Sequence, residues 1–278
     1  MKPQDDSALP ASIPHGLLES LRDFTGGPVD VAVVLGSGLG GFASTIEILS
    51  SVSTRELPGY PVSTIIGHEG RLLLGSVYGL RLLLFQGRVH GYEGYSTEAA
   101  ALPAQISAAL GARLLLLTNA AGGLHPAFRA GDLMMISDLL VLPAARRMGY
   151  ELNAIPSRQT PLPRPLFDAN LLELLRQSAA DSSVALREGT YGFCSGPTYE
   201  TRSEISFFRM AGADAAGMST APEVIAAARA SLPVLAISCI TNIASTVRQK
   251  VTHDEVTTVA SQASDKLARL VHALLQRM

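Results

Sequence analysis

Val31-Ala32-Val33-Val34-Leu35-Gly36-Ser37-Gly38-Leu39-Gly40-Gly41 is the stretch on which the reading of the fold turns. Five apolar residues in a row, three of them β-branched, lack the polar alternation of a half-exposed strand. They describe a strand covered on both faces, as in a parallel sheet. The glycines that follow satisfy G-x-G-x-x-G, and Glu56 stands near the interval at which a dinucleotide fold places its ribose-binding acid. Two features speak against a dinucleotide site. The residues after Gly41 do not read as a helix leading to a second parallel strand, and Glu56 precedes Pro58-Gly59, in a turn. The glycines alone are read equally well as a tight turn. The physics that survives is narrower: small residues let backbone N–H groups and the Ser37 hydroxyl close on an anion.

Working outward, Leu17 to Phe24 forms a short helix stopped by Gly26-Gly27-Pro28. Strand-like runs cover Val62 to Ile66, Arg71 to Val77 and Leu80 to Phe85, and the short gaps between them imply antiparallel hairpins. From Ser96 the texture becomes alternating. A helix over Ser96 to Leu110 is bent at Pro103, and a strand follows over Arg113 to Leu117. Then come a helix over Asp168 to Ala180, a strand over Thr190 to Cys194, and helices over Thr201 to Ala211 and Pro222 to Ala230. The strand Val234 to Ile240 and a helix from His253 to Gln276 close the chain. The expected fold is a single α/β domain over 1–278, a mixed β-sheet flanked by helices, with residues 1–16 as a loose arm. Pro143 to Pro165, with five prolines and four arginines, reads as a long surface loop.

Composition narrows the function classes. The 278 residues carry 22 basic and 24 acidic side chains, a net charge of −2 that offers nucleic acid or an acidic membrane no general attraction. Apolar residues make up 47% and charged ones 17%, enough to build a core. Cys194 and Cys239 supply neither a disulfide framework nor metal-ligand spacing. The acidic, proline-containing N-terminus lacks the apolar centre of a secretory signal, and Ala230 to Val247 is broken by Pro233 and Asn242. These features lead us to expect a soluble cytoplasmic protein without metal.

A second anion element is Gln86-Gly87-Arg88-Val89-His90-Gly91-Tyr92-Glu93-Gly94-Tyr95. Arg88 and His90 are two apart, so an extended chain points them the same way. An Arg fork beside an imidazole grips phosphate, and the His can exchange a proton. Either residue alone is more often an ion pair or a structural hydrogen bond. Together, among three glycines, they lean to a binding role.

The order of GSGLGG (36–41), GHEGR (67–71), QGRVHGYEGY (86–95), TNAAGGL (118–124), GPTYET (196–201), GMSTAPEV (217–224) and ITN (240–242) resembles the trimeric purine nucleoside phosphorylases of the 6-oxopurine type. The likeness runs from about Val31 to the helix near His253. It implies reversible phosphorolysis of purine ribo- and deoxyribonucleosides such as inosine and guanosine, with inorganic phosphate as co-substrate and no cofactor. It also implies a homotrimer. Carried over by motif, the phosphate would be held by Ser37, Arg88, His90, the Ala120 backbone and Ser219, with His68 closing the site. The base would meet Glu200 and Asn242, walled by Tyr199, Ala216 and Met218. The sugar would meet Tyr92, Met218 and His253. His90, Glu200 and Asn242 are the expected catalytic residues.

Each of these has an ordinary alternative. Glu200 is also a first-turn helix acid, Asn242 a strand-end turn former, Met218 core filler, and His253 a neighbour of a Thr252 cap. The 143–165 loop lacks the pattern of the animal enzymes, whose phenylalanine closes the neighbouring sugar pocket; no phenylalanine lies between Phe128 and Phe167, so that role is left unassigned, with Tyr150 only a guess. Ile243-Ala244-Ser245 looks more like bacterial members, some of which accept xanthosine. The competing functions are a methylthioadenosine phosphorylase, a non-catalytic nucleoside-binding protein and, third, the dinucleotide oxidoreductase.

Overall fold

The structure, a computed structural model, describes residues 13–65, 68–142, 165–244 and 252–278. The Pro143 to Pro165 loop, apart from its last residue, and Tyr150 with it, therefore lie outside the described residues. So do positions 1–12 of the expected arm. Its last four residues are held in place: Ile13 packs on the core and the Pro14 carbonyl accepts from the Leu17 N–H.

Helix α1 (Leu17–Thr25) buries Leu17, Leu18 and Leu21 and ends at Gly26 in the left-handed conformation. Strand β1 (Val31–Leu35) is buried at every residue and lies parallel to two neighbours, β4 (Leu80–Gln86) and β5 (Leu114–Gly123). The apolar run without alternation thus means what it implies, a strand with a layer on each side.

The dinucleotide topology is absent. After the glycine loop comes a single 3₁₀ stretch, Gly40–Thr45, and then β2 (Glu47–Ser53), which pairs antiparallel with β3 (Arg71–Val77). β3 in turn pairs antiparallel with β4 through the Tyr78-Gly79 turn, as expected. The expected strand over Val62 to Ile66 does not form: 62–65 are irregular, and Ile66 is outside the described residues. The partner of β3 is β2 instead, an edge strand without a buried residue, which therefore carries little hydrophobic pattern.

The remaining strands are β6 (Leu133–Val141), β7 (Leu186–Phe193), β8 (Ala215–Gly217) and β9 (Val234–Ile243). The sheet runs β2-β3-β4-β1-β5-β8-β7-β6-β9, and β9 returns to pair with β5. Strands β5, β9, β6, β7 and β8 therefore form a closed ring attached to an open wing, which removes the edge that β9 would otherwise present. β5 makes this possible by its length. Leu115 to Gly123 pair with β9, while Leu114 to Leu117 pair with β1 and Gly122 and Gly123 with β8.

Pro103 acts as expected, dividing the 96–110 segment into α2 (Thr97–Ala100) and α3 (Leu102–Ala109) with Ser96 capping the first. Helices α4 (Ala169–Asp181), α5 (Arg202–Met210), α6 (Ala221–Arg229) and α7 (His253–Gln276) cover the sheet. The Asp168, Thr201 and Thr252 side chains cap α4, α5 and α7. Among the described residues no helix is long and apolar enough to cross a membrane.

The glycine loop is packed as well as turned. A Cβ on Gly36 would stand 2.7 Å from the Thr118 carbonyl oxygen, while Gly38, at φ +73°, has Ala260 and the Thr257 carbonyl of α7 at the same distance. Gly40 has open space around it. Gly36→Ala should thus lower stability by about 1–3 kcal/mol through overpacking, and Gly40→Ala should stay within about 1 kcal/mol of the parent. Chemical denaturation of the two variants side by side checks this, and equal losses would contradict the packing account.

Candidate active site

The motifs converge because β1, β4, β5 and β9 run parallel and end on one side of the sheet, while β8 runs antiparallel and pairs with the end of β5. Ser37 follows β1, Arg88 and His90 follow β4, and Ala120 lies in the far half of β5. Glu200 follows β7, Ser219 follows β8, and Asn242 is near the end of β9. The carboxyl ends of parallel strands are where open α/β sheets present their ligand sites. Here they line a cavity of about 490 Å³. Ser37, Arg88, His90, Ala120 and Ser219 contribute to it, as do Glu200, Asn242, Tyr92, Tyr199, Ala216 and Met218. The last two groups of the sequence reading, anion donors and base-recognising polar groups, thus share one chamber.

Arg88 is 5% exposed and held at three points. Its Nη1 donates to Glu223 Oε2 and to Thr220 Oγ1, both at 3.1 Å, and its Nη2 donates to the Thr118 carbonyl. Thr220 Oγ1 also accepts from Asn119 Nδ2 at 2.9 Å. The Thr220 backbone has φ 72° and ψ −45°, and the Ala221 N–H reaches back to the Ser219 carbonyl at 2.8 Å. That is a γ-turn in the strained, positive-φ form, at a β-branched residue, placed beside Ser219 where α6 begins.

His90 is held by Glu93, whose Oε1 accepts from the His90 backbone N–H and meets Nδ1, both at 2.9 Å. Glu93 also accepts from the Thr64 N–H at 2.6 Å and from the Ser63 and Thr64 hydroxyls, so one carboxylate ties the 61–65 segment to the loop after β4. Burial alone would raise the Glu93 carboxyl. The hydrogen bonds from His90 and Thr64 outweigh it and hold the group down to about 2.

His68 stands behind Ser37 and does not line the large cavity. Its Nε2 is 3.0 Å from Ser37 Oγ, and its Nδ1 is 2.7 Å from the Arg88 carbonyl. A carbonyl only accepts, so Nδ1 carries the proton and Nε2 accepts from the Ser37 hydroxyl; the 3.2 Å approach of the Arg88 N–H to Nδ1 is then a contact, not a hydrogen bond. Its ring, that of His90 and that of Tyr92 stack in one column, with centroids 5.4 and 4.8 Å apart. Burial, with His90 alongside, lowers the His68 imidazole to about 4.

At the far end of the cavity a bulge in the β5–β9 pairing skips Thr241, and such bulges re-aim side chains. The Thr241 hydroxyl donates to Asn242 Oδ1 at 3.2 Å, leaving the amide N–H₂ to donate elsewhere. Burial first, and then the Glu200 carboxylate that accepts from it, push the Cys194 thiol up. His253 heads α7, with Thr252 as its N-cap as expected; its side chain is outside the described residues.

Thr220, Glu223, Thr241 and Cys194 were not anticipated. Glu223 reads in sequence as an ordinary first-turn helix acid, and nothing local marks the φ of Thr220. Glu93 belonged to the conspicuous 86–95 cluster but had no role assigned.

A profile of the phosphorylase superfamily matches residues 30–276. Purine nucleoside phosphorylase 1 of Bacillus subtilis is 40% identical, covering 88% of this chain and 91% of its own. The chain belongs to the purine nucleoside phosphorylase family. The rat purine nucleoside phosphorylase is 37% identical over 93% of this chain and 92% of its own. The solved Schistosoma mansoni purine nucleoside phosphorylase in complex with adenosine superposes with a TM-score of 0.86 at 29% identity, covering 94% of this chain and 95% of its own. The Schistosoma enzyme in complex with hypoxanthine gives 0.84.

The depressed His68 group has a consequence for this phosphorylase. Because its folded value lies below the ordinary value of 6.5, the unfolded chain binds the proton first as pH falls. Its contribution to stability is complete above 6.5 and is lost progressively down to about 4. Denaturation across pH 7 to 4 should show stability falling with acid, and His68→Asn should flatten that slope. Parallel slopes for parent and variant would contradict the assignment.

Proposed function

We propose that this enzyme catalyses the reversible phosphorolysis of purine ribo- and deoxyribonucleosides with a preference for 6-oxopurines, through the residues gathered in the shared cavity. The observation that carries the reading is the juxtaposition of anion donors with Glu200 and Asn242 in one chamber of about 490 Å³. Cleaving an N-glycosidic bond leaves positive charge on the sugar and negative charge on the base. A catalyst stabilises that cationic centre between two anionic partners.

Orthophosphate is one of them. Ser37, Arg88, His90, the Ala120 N–H and Ser219 hold it beneath C1′, where it is also the nucleophile: a P–O–C1′ bond forms as C1′–N9 breaks. His68 acts one step back, holding the single Ser37 hydroxyl proton at Nε2 until the hydroxyl turns to donate it to the phosphate. The electron pair of the broken bond passes into the purine, and the Asn242 amide hydrogen-bonds N7 as that density arrives. Met218, with Tyr92 stacked on His90, walls the sugar, and the motif resemblance assigns the 5′-hydroxyl to His253. Tyr199 and Ala216 flank the base.

Glu200 accepts from purine N1–H. Adenine presents an acceptor at N1, and a mismatched buried pair costs about 1–3 kcal/mol, roughly tenfold to a hundredfold in rate. The adenosine in the Schistosoma structure belongs to that protein. For the present chain, Glu200 favours inosine and guanosine, and the same pairing argues against a methylthioadenosine phosphorylase. No cofactor enters this scheme, since phosphate supplies both charge and nucleophile. The cytoplasmic homotrimer implied by the motif resemblance is part of this proposal, and the exposed Phe207 and Met210 of α5 offer an apolar face for a subunit contact.

The assay that tests this is hypoxanthine release from inosine with and without phosphate, repeated with guanosine, adenosine and xanthosine. Release should require phosphate and be fastest with the 6-oxopurines; equal rates on adenosine would remove the specificity argument. Glu200→Ala should lose at least a hundredfold in kcat/KM for inosine without loss of fold, whereas near-normal turnover would take Glu200 out of the base site. Arg88→Met should raise the KM for phosphate far more than that for inosine.

A further inference from the structure

Glu223 lies outside every role assigned so far, yet it makes the most deeply buried ion pair among the described residues. Its side chain is 1% exposed and that of Arg88 is 2% exposed, with Oε2 3.1 Å from Nη1. A buried pair of this kind seldom adds net stability over apolar packing of the same volume, so its presence asks for another reason. The carboxylate sits in the first turn of α6, where the helix dipole favours its ionised form. Burial pushes the Glu223 carboxyl up, and the guanidinium and the Thr220 N–H oppose that rise without cancelling it.

The donors of Arg88 are divided between two edges. Nη1 spends both N–H groups on Glu223 and Thr220, and Nη2 spends one on the Thr118 carbonyl. Nε is buried without a partner among the described residues, and by the covalent geometry of guanidinium it shares an edge with the second Nη2 N–H. That edge is a fork of the shape that grips a phosphate oxygen pair. Glu223 therefore stands at the back of the group whose front remains for the anion. Thr220 accepts its strained φ in the same place, presenting Oγ1 to both Arg88 and Asn119.

We propose that Glu223, acting through Arg88, is the counter-charge that limits how tightly the phosphate site holds its anion. This rests on the reading of Arg88 as a phosphate ligand. An anion bound to the front of the guanidinium attracts the positive charge and repels the carboxylate behind it. Partial cancellation keeps phosphate, and ribose 1-phosphate in the reverse direction, exchangeable. Ground-state grip that is not increased in the transition state brings no gain in kcat. Glu223 is a positioning residue that touches neither substrate.

The test is Glu223→Gln, which keeps an acceptor oxygen for Nη1 and removes the charge. Titration calorimetry of orthophosphate into nucleoside-free enzyme should show a dissociation constant at least fivefold lower than the parent's. The KM for phosphate should fall in step, and the KM for inosine should stay within twofold. Glu223→Asp, with the charge one methylene further from Arg88, should tighten phosphate about twofold; it carries the test if the Gln variant does not fold. A residue serving only to pack would leave phosphate affinity unchanged or weaken it, and either result in a folded variant overturns the proposal. Arg88→Met, measured alongside, separates the two failures. If it leaves phosphate affinity unchanged, the anion site itself is misassigned. If it weakens phosphate while the Glu223 variants do not tighten it, only the counter-charge role falls.

Discussion

A guanidinium taken out of water must be paired and hydrogen-bonded, and the arrangement around Arg88 follows from meeting that demand. Its partners come from two distant parts of the chain: the Thr118 carbonyl in β5, and the Thr220 hydroxyl and Glu223 carboxylate where α6 begins. Bringing them together fixes where α6 starts, bends Thr220 into a γ-turn and so sets Ser219 at the cavity wall. Thr118 extends the same network to the glycine loop, since its hydroxyl accepts from the Gly36 N–H and donates to the Val34 carbonyl. The anion donors are thus parts of one buried polar framework, and such frameworks are costly unless satisfied throughout.

The sheet gives that framework its geometry. Because β1, β4, β5 and β9 run parallel at its centre, residues from 37 to 242 arrive on the same side without long excursions. Closure of the ring through β8 carries Ser219 and Ala216 to the wall opposite the glycine loop. The His68–His90–Tyr92 column and the Glu93 carboxylate then hold the loop after β4, the part of the anion site with the least regular structure.

What could be read from the sequence follows from whether the information was local. β1, β3 and the C-terminal helix were legible because their apolar patterns are dense and their ends are marked by Gly or a Thr-x-x-Glu cap. β2 was not, because Glu47 to Ser53 lies at an edge with no buried residue, and Val62 to Ile66 reads as the more apolar run. β8 is three residues long, too short to show a period, and β6 was passed over although Leu133 to Ile136 are fully covered. The binding residues stood out because Gly-rich turns with Arg, His or Asn are conspicuous. Their supports did not. Glu223 and Thr241 are ordinary residues locally; Glu223 takes its role from Arg88, 135 positions away, and Thr241 from a bulge in the pairing of β9 with the distant β5.

The central claim is spatial: orthophosphate occupies the end of the cavity bounded by Ser37, Arg88, Ala120 and Ser219, with a purine facing Glu200 and Asn242 beyond it. A crystal structure of the enzyme soaked with orthophosphate and hypoxanthine tests this most directly. The account predicts phosphate within hydrogen-bond distance of the Arg88 guanidinium, the Ser37 and Ser219 hydroxyls and the Ala120 N–H, and hypoxanthine N1 on the Glu200 carboxylate. Phosphate bound away from Arg88, or the base turned from Glu200 and Asn242, would contradict it.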